Sequence, residues 1–271
     1  MTEPPLVRYE LQGDVAVLTL NRPDRRNAWS FELEKELFDL ADQADEDHRA
    51  RAIVLTGAGT SFCPGMDMSA LVTLGQSAGV AARRRPATHL RTMRKLTVCA
   101  INGGCAGVGL VQALCCDVRF AAEEARISCS FTRRGTPAEY GASWLLPRLI
   151  GLADATDLLL SGRTIGAAEA ERLRLVTRTA PRAQLLDLAV HYAQDVAANC
   201  APLAVEAVKA QLAADTDREL ADSVADARRI AHEPERRPDL AEGARAFLEK
   251  RPPRFAPLPS HDRQPSPDPA P

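Results

Sequence analysis

The sequence predicts an α/β protein in which strands and helices alternate through the first half and helices alone fill the last third. Three observations carry this prediction. Short β-rich runs, of which residues 98–101 are the clearest, end in glycine-bearing turns that lead into apolar segments with helical spacing. From about Asp154 onward the pattern is helical. Of 271 residues, 45% are hydrophobic and 26% charged, an ordinary globular balance in a chain long enough to bury a substantial core.

Residues 14–20 read as a buried strand through Val15, Val17, Leu18 and Leu20, and Asn21-Arg22-Pro23-Asp24 is turn chemistry. Ser30 is placed to cap a helix that carries Glu32 and Glu34 in its first turn and Leu33, Leu37, Leu40, Ala41 and Ala44 on one face. A strand over 51–56 ends at Gly57-Ala58-Gly59, and Ser61-Phe62-Cys63-Pro64-Gly65-Met66-Asp67-Met68 makes a second glycine turn towards a helix-like segment. The polar stretch 76–95, with Arg83, Arg84, Arg85, Arg91 and Arg94, reads as a solvated helix or loop, with a phosphate-binding patch as the alternative. Short strands are predicted over 117–121 and 125–128, and Glu139 then precedes a helix bearing Trp144, Leu145, Leu146 and Leu149. Helices follow over 167–173, 181–198, 202–214, 217–230 and 238–250. The recurring unit is two short strands and a helix. The organisation expected is a core over 1–200, a helical region over 201–256 and a disordered proline-rich tail over 257–271.

A net charge of −2 argues against nucleic acid or an anionic membrane as a partner. Seven cysteines without a C-x-x-C pair read as reduced core thiols of a cytoplasmic protein. The five histidines are isolated, so no metal site is expected. No secretory leader or membrane span is expected either.

The chemistry centres on Ile101-Asn102-Gly103-Gly104-Cys105-Ala106-Gly107-Val108-Gly109-Leu110. A helix opening after glycines offers unpaired amides at the positive end of its dipole, suited to a carbonyl that is becoming an anion. A plain glycine-rich turn without chemistry is the alternative. The spacing is neither a dinucleotide fingerprint nor a phosphate loop. Met66 offers a second such amide. Glu139, among small and aromatic residues, is either a base or a carboxylate that only favours a helix dipole.

Taken together, these motifs resemble the crotonase (enoyl-CoA hydratase/isomerase) superfamily from about Val7 to Phe255. The matches are Asn21-Arg22-Pro23 with Asn27-Ala28; Ser61 to Asp67; Asn102-Gly103 with Gly107-Val108-Gly109 and Cys116-Asp117; Leu146 to Gly151 with Leu160 to Arg163; and Phe247 to Arg251. The resemblance implies a crotonase-like spiral of strand-strand-helix turns with a helical C-terminal trimerisation region, usually stacked as a hexamer. It implies an acyl-CoA thioester as ligand and no separate cofactor, coenzyme A being part of the substrate. The family's oxyanion-hole amides fall on Met66 and Val108. Arg26, Ala28, Met66 and Met68 would lie near the CoA moiety, with Cys63, Gly65, Asp67 and Gly107 in the two turns. Phe247 and Lys250 would reach the nucleotide of a neighbouring subunit.

The carboxylates depart from the hydratase pattern. Its two glutamates fall on Val111 and Phe131, whereas Glu139 occupies the position of the single acid of Δ3,Δ2-enoyl-CoA isomerases. With Val111, Phe131 and Trp144 lining a dry acyl pocket, Glu139 would sit in an apolar setting and carry out a 1,3-proton shift on an enoyl-CoA. Hydration or hydrolysis of an acyl-CoA, with Glu139 positioning water, and non-catalytic acyl-CoA binding are the alternatives. Cys63 and Cys105 are close to the proposed hole without a histidine placed to activate them.

The apolar stripes of the C-terminal helices predict a trimer or hexamer in solution. Light scattering at micromolar concentration checks this, and a monomer mass would contradict it.

Overall fold

In a computed structural model of the chain, the described residues are 4–67 and 85–260. Met68, Arg83 and Arg84, named above, lie outside them. The strands form two sheets, and the chain climbs both at once. The larger sheet has the order β1 (Val7–Gln12), β2 (Val15–Leu20), β3 (Ala52–Gly57), β5 (Leu96–Ile101), β7 (Val118–Ala122) and β10 (Arg178–Ala180). The smaller has β4 (Ser61–Cys63), β6 (Gly104–Ala106), β8 (Arg126–Ser128) and β9 (Thr164–Gly166). Each of β3, β5 and β7 is followed at once by β4, β6 or β8 in the other sheet, and the neighbours within these sets run parallel. One circuit therefore adds one strand to each sheet, which is the predicted spiral of strand-strand-helix turns.

Helix α1 (Phe31–Glu46) begins at Ser30, whose hydroxyl accepts from the Leu33 amide at 3.3 Å. Its buried face is Leu33, Leu37, Phe38, Ala41 and Ala44, with Glu34 and Asp45 buried alongside. Helix α2 (Val108–Cys115) is buried along its whole length, as expected of an element at the centre of the spiral. Helix α3 (Ala142–Ile150) packs on α2 and on α4 (Leu152–Ser161). After α5 (Ala167–Arg172), helix α6 (Arg182–Asn199) lies across the larger sheet through Leu185, Ala189, Val190 and Ala193.

Three-residue strands differ from the sequence expectation. The turn after Thr60 contains β4, and β6 intervenes between the 96–101 strand and α2. Strands this short show no periodicity to read. Residues 85–95 also differ, because they are not a solvated face. Leu90 and Met93 are buried, Arg85 bridges Asp39 and Asp42, and His89 Nε2 is 2.9 Å from Asp42. Lys95 is buried, and its ammonium donates to the Ala44 and Asp47 carbonyls at the end of α1, both at 2.8 Å. Burial pulls its pKa down to about 8.

Close approach between α2 and β4 requires Gly109. A Cβ there would lie 2.2 Å from the Cys63 carbonyl oxygen and 2.8 Å from its sulfur. Gly109→Ala should therefore push α2 away from β4, costing roughly 1–3 kcal/mol of stability and, through the displaced Val108 amide, activity as well. Thermal melts and acyl-CoA turnover of this variant check the contact.

Helices α7 (Pro202–Ala214), α8 (Leu220–Ala231) and α9 (Arg237–Glu249) leave large apolar side chains in the open, among them Leu212, Leu220, Leu240 and Phe247. A groove of about 500 Å³ between them is lined by Leu203, Ala231, Leu240 and Phe255. The chain beyond α9 then returns to the core. Arg51 donates to the Phe255 carbonyl at 2.6 Å, Arg94 to that of Pro259 at 3.0 Å, and the His48 ring contacts Leu258 O and Ser260 Oγ, each at 3.1 Å. Leu258 is buried in a cleft lined by Lys95, Val196, Ala197 and Val205. The expected tail from 257 is thus ordered through Ser260, and the remainder, 261–271, lies outside the described residues. Leu258→Ala should cost roughly 2–5 kcal/mol, read as a fall in Tm of about 2–4 °C per kcal/mol at this size. Truncation after Ser260 should leave Tm unchanged.

Candidate active site

The Gly65-Met66-Asp67 turn is held from the chain's first loop. Asn27 is fully buried, accepts from the Arg22 amide at 2.9 Å, and donates to the carbonyls of Ala58 and Ser61 at 2.9 and 2.7 Å. Trp29 then pairs with Met66 as an isolated parallel bridge: its amide donates to Gly65 O at 2.8 Å and its carbonyl accepts from Asp67 at 2.9 Å. In such a bridge the flanking groups face the partner, and the central residue's own N–H and C=O point the other way. The Met66 amide is therefore turned away from Trp29. Asp67 is held by Arg22 at 3.2 Å, and Arg22 also donates to the Ala28 carbonyl. This gives Asp67 an anchoring task in the turn. Arg26 lies exposed and Ala28 half-buried on the same loop.

The second turn ends at Gly107, with φ +53°, and Val108 opens α2. The Val108 amide has no intrahelical acceptor at this position. Among the described residues, neither it nor the Met66 amide donates a hydrogen bond. Two glycines bring the turns together. Gly65 has φ +107°, and a Cβ on it would meet the Ala106 carbonyl oxygen at 3.2 Å and the Gly107 Cα at 3.9 Å. Two unpaired amides on touching turns, one of them at a helix N-terminus, form a site for oxygen that gains negative charge.

Around these turns the surroundings are apolar. Val111 and Cys63 are fully buried, and Phe131 is nearly so. Burial pushes the Cys63 thiol up to about 12 and raises Cys105 as well, so neither is a nucleophile near neutral pH. Six of the seven cysteines are buried and all are free. No cluster of potential metal ligands occurs among the described residues.

The expected enclosure of Glu139 is not found. Glu139 is exposed, and among the described residues its carboxylate has no hydrogen-bond or ion-pair partner. It stands on a sharp turn, with Tyr140 at φ +57° and Gly141 at φ +77°, immediately before α3. Nor does Trp144 line a dry pocket. It is 37% exposed and has two guanidinium groups over its ring, Arg148 at 3.9 Å from the centroid and Arg91 at 5.0 Å. Each such contact is attractive because the ring face is electronegative. Phe247, 85% exposed, and Lys250, in the left-handed cap of α9, are not brought to the two turns by the single chain.

Sequence reasoning missed the work of Arg22 and Asn27. Their motif is visible, but that it clamps the Met66 turn follows only from the hydrogen bonds. The pair of arginines around Trp144 left no sequence signal, since Arg91 and Arg148 are far apart in the chain.

Comparison with known proteins gives the family. The sequence matches the family described as enoyl-CoA hydratase/isomerase over residues 10–257. A Rhodobacter capsulatus protein named a probable enoyl-CoA hydratase is 35% identical over 254 residues, covering 92% of this chain and 97% of the relative. The crystal structure of a probable enoyl-CoA hydratase/isomerase from Mycobacterium abscessus superposes with a TM-score of 0.85 at 34% identity, covering 93% of this chain and 99% of that one. That of an enoyl-CoA hydratase from Mycobacterium tuberculosis H37Rv gives 0.85 at 32% identity, with 93% and 99% covered. The chain belongs to the enoyl-CoA hydratase/isomerase family of the crotonase superfamily.

Proposed function

We propose that this protein binds an acyl-CoA thioester with its carbonyl oxygen between the Met66 and Val108 amides and moves a double bond of an enoyl-CoA by a 1,3-proton shift. The observation that supports the reading is the pair of unpaired amides on touching glycine turns. Proton removal next to the thioester, or at its vinylogous position, leaves an enolate whose charge rests on that oxygen. One preorganised donor of this type is worth about 3 kcal/mol of barrier. Glu139 takes the proton from one carbon and returns it two carbons away, so a single carboxylate is enough.

Hydration needs both an activated water and a proton for the α-carbon, work commonly divided between two carboxylates. The positions that hold them in hydratases carry Val111 and Phe131, both buried. The names of the relatives favour hydration nonetheless, and hydration remains the second reading. Exposure of Glu139 in the single chain favours the third, acyl-CoA binding without chemistry. In the proposed assembly, the open apolar faces of α7 to α9 join copies into a trimer or hexamer, and Phe247 and Lys250 approach the CoA nucleotide of a neighbour. Seven free cysteines fit a reducing compartment, the cytoplasm.

Glu139→Gln preserves shape and removes the base. Isomerisation of a 3-enoyl-CoA should fall at least about a hundredfold in kcat, with acyl-CoA affinity little changed. Equal rates in wild type and variant would remove Glu139 from the mechanism. Assayed beside a 2-enoyl-CoA, wild type that hydrates but does not isomerise would establish the second reading.

A further inference from the structure

Ser130 follows β8 and has φ +34°, a backbone conformation that favours glycine and that serine seldom adopts. The neighbourhood enforces it. The Ser130 amide donates to Ser128 Oγ at 3.2 Å, Ser128 Oγ donates to the Gly162 carbonyl at 3.0 Å, and the next side chain, Phe131, is buried. The same stretch is tied to the second glycine turn, because β8 pairs with β6 and the Gly107 amide donates to Ser128 O at 3.3 Å.

This conformation puts the hydroxyl against the Gly107 turn. The point where a Cβ on Gly107 would lie is 3.8 Å from Ser130 Oγ and 3.8 Å from Gly65 Cα. Gly65 precedes Met66 and Gly107 precedes Val108, so Oγ lies next to the point where the two amide-bearing turns meet. Ser130 is half-buried, and among the described residues its hydroxyl has no hydrogen-bond partner. Glycine would serve this backbone without strain; what serine adds is the hydroxyl.

We propose that Ser130 is a catalytic residue, a third hydrogen-bond donor to the thioester oxygen beside the Met66 and Val108 amides. The proposal rests on the reading of those amides as a thioester site. The O–H donates to the carbonyl oxygen on binding, and more strongly as negative charge gathers there, so the bond favours the enolate over the bound thioester. No base is bonded to Oγ among the described residues, so the group acts as a donor and not as a nucleophile. The donation is independent of where the proton is finally returned, and it serves isomerisation and hydration alike.

The test uses full-length wild type, Ser130→Gly and Ser130→Ala with but-2-enoyl-CoA carrying ¹³C at the thioester carbonyl. Infrared difference spectra read how far the carbonyl stretch moves to lower frequency on binding, and turnover is measured in parallel with whichever of a 3-enoyl- or 2-enoyl-CoA wild type converts. Ser130→Gly relieves the backbone and should melt no lower than wild type. In both variants the carbonyl shift should be smaller, and kcat should fall about tenfold to a hundredfold, at or below the loss typical of a single oxyanion donor. Affinity should change little. A full wild-type shift and kcat in Ser130→Gly would overturn the proposal while leaving the two-amide site intact. So would a variant whose activity falls only in step with its Tm. Wild type that binds but-2-enoyl-CoA without shifting its carbonyl would overturn the thioester site itself, and Ser130 with it.

Discussion

The contact that everything else serves is the one between Gly65 and the Ala106–Gly107 peptide. Two turns from different circuits of the spiral meet there, and a Cβ on Gly65 would crowd the Ala106 carbonyl oxygen at 3.2 Å. Both glycines have positive φ, which L side chains seldom adopt, and at Gly65 the lack of a Cβ is needed as well. The clamp from Asn27 and Trp29 fixes one turn, and the pairing of β6 with β8 fixes the other. The two unpaired amides this contact brings together are main-chain groups, so their placement does not depend on the character of the Met66 and Val108 side chains.

Much of the scaffold was legible in the sequence because its signals are local. Ser30 does cap α1, α7 runs over the predicted 202–214, and α6 and α9 lie within a residue or two of expectation. The alternation of strands across two sheets was legible as a recurring unit. What escaped was short or spatial. Strands β4, β6 and β9 have three residues each, too few to show a period of two. Residues 85–95 looked like a polar surface because arginine reads as exposed, whereas Arg85 and Arg94 are spent on Asp39, Asp42 and Glu206. Glu139 was expected in an apolar setting because small and aromatic residues flank it in sequence, but its exposure is set by the turn that carries it into α3. The significance of Ser130 lies in one dihedral angle, which its residue type conceals.

Cations close the spiral's helices in a consistent way. Lys95, just before β5, bonds the final carbonyls of α1, and Arg119, inside β7, donates to Cys116 O at 2.6 Å and to Leu175 O at 3.0 Å. Carbonyls at these helix ends, left without an intrahelical donor, are satisfied by a cation carried on or beside a strand of the larger sheet, where the helix dipole also favours positive charge. Both cations are nearly inaccessible. Desolvation lowers the pKa of each, and the cost is borne because the alternative is a buried carbonyl without a donor.

The return of the chain end to the core has a consequence for biosynthesis. Leu258, Pro259 and Phe255 contact Arg51, Arg94 and His48, partners separated by as many as 210 positions in sequence for the His48 to Leu258 carbonyl contact. During vectorial synthesis the first circuits of the spiral leave the ribosome well before these residues are made. Until residues 255–260 are made, the cleft beside Lys95 and Val196 stands open, and the three side chains wait without these partners. Closure of this cleft is therefore a late event of long loop length, and a nascent chain halted short of Leu258 is distinguishable from one that has passed it.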